Sequence, residues 1–303
     1  MSLKDRIKGQ VLAMDAAVRP WAARSPVHAG LYEFLLFGLK QAWASLFAGA
    51  MLALLVGSHF LWPVLWPSGA PLARYDFLVL AALSLQGLFL ATRLERWDEA
   101  LVILIFHVVG TVMELFKTAH GSWIYPEPSL LRIGGVPLFS GFMYASVGSY
   151  IARAMRLFDI RFVRYPPVWA PWVLAILAYA NFFTHHYGPD IRWGLFAFSG
   201  LIFWRTWFTF TPDLKPRRMP VVVGVLLVAL FIWFAENLGT FASAWIYPSQ
   251  RHGWAPVAFA KLGSWYLLIL LSFVLVSLVH RPRAPGEGAT TNPLETGVDV
   301  SAC

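Results

Sequence analysis

Eight apolar stretches, near residues 32–58, 75–92, 100–118, 137–158, 168–186, 191–210, 220–240 and 257–279, leave this chain few folds to choose from. At about 1.5 Å of rise per residue, each is long enough to cross a hydrocarbon layer roughly 30 Å thick as a helix. The rest of the chain cannot dilute them. With 58% hydrophobic and 13% charged residues and a mean hydropathy of +0.60, there is too little polar surface to cover a soluble globule. The expectation is an all-α integral membrane protein of eight transmembrane helices.

Charge sets the orientation expected of those helices. Lys4, Arg6, Lys8, Arg19 and Arg24 precede the first stretch, Arg93 and Arg96 follow the second, and Arg153, Arg156, Arg161 and Arg164 follow the fourth. Lys215, Arg217 and Arg218 follow the sixth, and Arg281 and Arg283 the eighth, while the opposite loops hold Arg74, Arg132, Arg192 and Arg251. By the positive-inside rule both termini are cytoplasmic. The net charge of +8 is scattered in these clusters, which argues against a nucleic-acid partner and for the lipid bilayer. Residues 1–30 read as a cytoplasmic amphipathic lead-in, with Leu3, Ile7, Val11, Met14, Val18 and Trp21 at helical spacing. Residues 281–303, rich in turn formers, read as a disordered cytoplasmic tail. Cys303 is the single cysteine, so no intramolecular disulfide is possible.

One motif occurs twice. ELFKTAHGSWIYP, Glu114 to Pro126, returns as ENLGTFASAWIYP, Glu236 to Pro248, with Glu, Thr and Trp-Ile-Tyr-Pro in register. We read an internal duplication. Both copies close outward-running spans, the third and the seventh, so the repeats are parallel: residues 31–158 form one four-helix half and 168–280 the other.

Of sixteen carboxylates, Glu33, Glu114 and Glu236 fall inside apolar stretches, and Glu33 is close to a cytoplasmic end. Glu114 and Glu236 lie roughly 21 to 24 Å along their helices from the cytoplasmic start, a depth at which an acid marks a functional site. Facing each other across a pseudo-axis and away from water, two acids would retain or share a proton, the state that a proton donor needs. His107, Thr111, Glu114 and Thr118 make a polar stripe on one face of the third span; Glu236 and Thr240, with Asn237 beside them, answer it on the seventh. This assigns Glu114, Glu236, His107 and Asn237 to catalysis. Thr118, Thr240, Trp123, Tyr125, Trp245, Tyr247, Lys117 and His120 are assigned to substrate contact. The bland alternatives are that the stripe is packing glue and that WIYP is an aromatic belt followed by a helix stop. His185 and His186, with His120, are candidates for an outer metal site, but adjacent histidines on a helix diverge and no zinc spacing is present, so no metal and no cofactor are expected.

Around ELFKTAHGSWIYPEP and the following GGVPLFSGFMYASVGSY the chain resembles an uncharacterised family of bacterial polytopic membrane proteins. That resemblance implies a multi-pass inner-membrane location and no activity. Glu236, Gly239, Trp245 and Tyr247 are also similar to the glutamate-glycine-aromatic signature of membrane carotenoid hydratases and cyclases, from which the first copy departs with Lys117 in place of the glycine. The reading that unites these observations is a lipid-phase enzyme using paired glutamates for acid chemistry on a lipophilic, isoprenoid-like substrate. A proton-coupled transporter or channel using the same glutamates, and a non-catalytic scaffold, are the alternatives.

Overall fold

A computed structural model describes residues 3–67 and 69–284. Ten α-helices dominate them: α1 (Leu3–Ala22), α2 (Pro26–Ala44), α3 (Leu46–Leu65), α4 (Arg74–Ala91), α5 (Trp97–Ala119), α6 (Phe139–Leu157), α7 (Trp169–Thr184), α8 (Arg192–Phe203), α9 (Val221–Phe241) and α10 (Lys261–Ser277). Four of them, α3, α4, α5 and α9, are long and apolar enough to cross a membrane; α7, α8 and α10 are apolar but shorter. This is the build of a membrane protein. Every expected apolar stretch contains a helix, yet two depart from a single span. The stretch 32–58 is divided at Ser45, which closes α2 by donating its backbone N–H to Gln41 and lies between α2 and α3. The stretch 191–210 holds a helix of 12 residues, then leaves the helical path at Trp204 to become a strand.

The all-α expectation therefore needs correction. A hairpin of β1 (Arg132–Ile133) and β2 (Val136–Pro137) precedes α6, and β3 (Arg161–Val163), β4 (Trp207–Phe210) and β5 (Arg217–Pro220) form an antiparallel sheet. Phe162 is opposite Phe208, and Phe208 opposite Met219. Period-2 alternation was hidden because WFTF carries three aromatic residues in four, which reads as the end of an apolar run. Arg19 of α1 reaches Asp213 in the β4–β5 loop at 2.9 Å, and Arg217 of β5 donates to Glu33 of α2 at 2.6 Å. The lead-in helix is thus tied to the same end of the molecule as this sheet. The expected tail lies, beyond residue 284, outside the described residues.

Among the described residues α5 and α6 form the most extensive helix pair. Gly110 of α5 lies against the Tyr144 ring of α6, where a Cβ would come within 2.7 Å of it, so only glycine admits this approach. Arg153 and Arg156 of α6 meet Glu95, just before α5, and Glu99 in its first turn, with Arg156 2.7 Å from Glu99 and Arg153 3.4 Å from Glu95. These two acids were not among the expected interior carboxylates. Their sequence context, RLERWDEA, reads as a polar loop, and only the packing of α6 buries these two side chains within it.

Candidate functional site

The site begins at two helix ends built in the same way. Past α5, Gly121 takes a left-handed φ of +67° and the N–H groups of Gly121 and Ser122 donate back to Thr118 and Lys117. Past α9, Ser243 takes φ +53° and the N–H groups of Ser243 and Ala244 donate back to Thr240 and Gly239. Both are Schellman caps, which satisfy the last carbonyls of a helix and reverse the chain. The reversal brings each WIYP segment back along its own helix, where the two meet: Ile124 and Ile246 exchange N–H···O=C bonds of 3.0 and 2.9 Å in an isolated antiparallel bridge. Trp123, Tyr125, Trp245 and Tyr247 are only 7%, 9%, 7% and 9% exposed. They are interior residues, and the aromatic-belt reading is set aside.

Buried Tyr and Trp need partners for their polar tips, and the glutamates supply them. Tyr125 donates its hydroxyl to Glu114 at 2.8 Å, and Tyr247 donates to Glu236, each eleven residues after its acid. The remaining donors differ. Glu114 also accepts the Trp123 indole N–H at 2.7 Å and, on its other oxygen, the Tyr144 hydroxyl at 2.7 Å. Glu236 accepts the Trp265 indole of α10 at 2.7 Å, whereas Trp245 turns away and lays its ring on Gly239. A Cβ at Gly239 would run into that ring, so the glycine of the second copy is what lets Trp245 lie there. The first copy has Lys117 in its place, and Trp123 aims its N–H at Glu114 instead.

Both acids open on one cavity of about 1110 Å³. Its lining follows α6 from Ser140 to Phe158, roughly 27 Å at 1.5 Å per residue, close to the hydrocarbon thickness of a bilayer. At the end far from the acids lie Phe158 and Phe210. Helices α2, α3 and α5 to α10 contribute. Among the lining residues, Phe34 of α2 and Phe231 of α9 are 68% and 73% exposed, and Gly38, Ala42, Gly49 and Leu227 are exposed too, so the chamber opens sideways between α2–α3 and α9. Lys261, the first residue of α10, stands between the two motifs with its ammonium 4.4 Å from the Tyr247 ring centre and 5.3 Å from that of Trp123.

The other expected site residues take separate places. His107 packs on Phe142 and Gly141, its Nδ1 is buried without a partner, and it is not among the residues lining the cavity. Asn237 accepts the Val257 N–H at 2.9 Å and donates to the Trp233 carbonyl, so it fastens the loop before α10. Thr240 donates to the Asn237 carbonyl and accepts from Trp254, while the Thr118 hydroxyl is buried without a partner. Lys117 is 3.2 and 3.0 Å from the Nε2 atoms of His185 and His186, and His120 is 2.6 Å from the Tyr187 hydroxyl. The outer histidines do come together, around an ammonium; among the described residues no group of three or more His, Cys, Asp or Glu has the geometry of a metal site. Beside them, burial opposes ionisation of Asp190, but the Asn181 amide, the Arg192 N–H and the Arg192 guanidinium at 2.5 Å outweigh it and hold the carboxyl below the usual carboxylate range. Tyr144, Trp265 and Lys261 were missed. They stand 13 or more residues from either motif, and no local pattern points at the acids.

A family profile described as "Protein of unknown function (DUF817)" matches residues 33–273. The chain belongs to this family. It is 42% identical over 247 residues to the uncharacterized protein YoaT of Bacillus subtilis (strain 168), an alignment covering 82% of this chain and 91% of that protein. No solved structure matches it. Neither match is to a carotenoid hydratase or cyclase. The family match spans both motifs, the cavity and all but the last four residues of α10.

Proposed function

We propose that this DUF817 protein is a multi-pass enzyme of the bacterial inner membrane that carries out acid chemistry on a lipophilic, isoprenoid-like substrate. The observation that carries this reading is that Glu114 and Glu236 border one chamber, lined largely by apolar side chains from both halves of the chain. A substrate dissolved in the bilayer reaches that chamber through the sideways opening between α2–α3 and α9, without crossing water. Inside, π-faces of Trp123, Tyr125, Tyr247 and Trp265 surround the acids, and such faces stabilise the positive charge that develops when an alkene is protonated.

The two acids divide the work. Glu114 takes three donors and is the more firmly held; Glu236 takes two and is the better placed to exchange a proton with a substrate. The matching helix caps, the Ile124–Ile246 bridge and the shared Tyr-to-Glu bonds support reading the halves as parallel copies about a pseudo-two-fold axis, with both termini cytoplasmic. The test compares lipid and isoprenoid extracts of a host with and without the gene, and with Glu114→Gln or Glu236→Gln. A species that appears or disappears only when both glutamates are intact is the expected result. Extracts indistinguishable across all four strains overturn the enzymatic reading.

A further inference from the structure

We propose that Lys261 is the binding group for the anionic head, phosphate or carboxylate, of a long-chain amphiphile whose tail fills the chamber. This deepens the reading above and rests on it for the chemistry, though not for the binding.

At the end of the cavity that holds the acids, the other charged side chains already have partners. Arg192 is matched by Asp190 at 2.5 Å. The Lys117 ammonium is shared between two imidazole nitrogens. The oxygens of Glu114 and Glu236 are taken by five aromatic O–H and N–H donors. Lys261 remains. Its ammonium carries three N–H donors, yet among the described residues it meets two aromatic faces and no hydrogen-bond acceptor or carboxylate within bonding distance. A half-buried ammonium in that condition lacks the partners that burial demands. The cavity that Lys261 lines is where a ligand acceptor would meet it.

The shape of the cavity selects the rest of the ligand. From Lys261 the lining continues through apolar residues of α6, α9 and α10 to Phe158 and Phe210, a length suited to an acyl or prenyl chain. Glu114 and Glu236 are close enough to Lys261 to act on it electrostatically, but with their oxygens engaged by donors they leave the ammonium as the group with donors to spare.

Native mass spectrometry of the full chain in a neutral detergent, titrated with dodecyl phosphate, dodecanoate, dodecanol and inorganic phosphate, tests this. At least one anionic amphiphile is expected to bind tenfold or more tightly than dodecanol, and inorganic phosphate is expected not to be retained. Which of the two anions wins distinguishes a phosphate head from a carboxylate head. Lys261→Met should reduce the preference for the anion at least tenfold, and Lys261→Arg should keep most of it. Equal binding of dodecanol, retention of inorganic phosphate alone, or an unchanged preference in Lys261→Met each overturns the proposal. The comparison of wild-type ligands stands even if Lys261→Met fails to fold. Glu114→Gln and Glu236→Gln should still bind the anion. Preference intact with unaltered host extracts would sink the enzymatic reading and leave this one, and altered extracts with no preference would do the reverse.

Discussion

The first and second copies of the motif share their glutamate, threonine, cap and tyrosine, yet they surround the acid differently, and a single position accounts for much of that. Gly239 opens the side of α9 to the ring of Trp245. Lys117, at the same place on α5, carries a side chain there, and Trp123 sends its indole to Glu114. The second copy then recruits Trp265 from α10, while the first takes Tyr144 from α6, brought close by Gly110. One acid ends with three donors and the other with two. A repeated sequence therefore fixes the anchor of each site, and the neighbouring helix decides how tightly the anchor is held.

The largest effect should come from removing the acids. Glu114→Ala strands three donors, two of them buried, and at about 1 to 2 kcal/mol for each group left without a partner it should lower stability by roughly 3 to 6 kcal/mol. Glu236→Ala strands two and should cost roughly 2 to 4 kcal/mol. Thermal unfolding in detergent reads both; equal losses would break the comparison. Next comes the glycine. Gly239→Ala forces Trp245 off α9 and should cost about 1 to 3 kcal/mol, the usual range for overpacking, whereas Lys117→Ala, which adds no volume, should cost less. A larger loss from Lys117→Ala than from Gly239→Ala would show that the outer ammonium cluster, and not ring packing, separates the copies.

The bridge between the copies should be symmetric. Ile124→Pro and Ile246→Pro each delete one N–H donor of the pair, and each should cost on the order of 1 kcal/mol, within error of the other. Unequal values would mean that one copy holds the other in place. The smallest effect concerns Asp190, in the loop between α7 and α8, which has no counterpart in either motif. Its folded carboxyl titrates below the unfolded value, so its contribution is full above about pH 4 and is lost as pH falls through the lowered folded value. Unfolding followed from pH 6 down to pH 3 should show a slope that Asp190→Asn flattens.

Much of this was legible from the residues. Hydropathy located a helix in each of the eight stretches, because an apolar run of that length has few alternatives. It misjudged where helices stop. Ser45 lies between α2 and α3 inside the apolar stretch 32–58, and WFTF left the helix for a strand because β3 and β5 were there to pair with it. The motif exposed Glu114 and Glu236 together with the tyrosines that hold them, since their spacing is local. His107 shared a helix face with Glu114 but not its surroundings, for a stripe along a helix passes several different neighbours over two turns.

The sequence by itself determined that this is an apolar helical chain with a twice-used acid and aromatic motif, because periodicity, length and repetition are properties of the chain read in order. Only the tertiary structure decided that the two motifs pair through Ile124 and Ile246, that Tyr144 and Trp265 complete the acids, and that Lys261 stands between them over one chamber. Those residues are far apart in the chain. What brings them together is the close approach of α6 to α5 and of α10 to α9, and that is set by side-chain volumes at positions such as Gly110 and Gly239, whose effect appears only when the facing helix is in place.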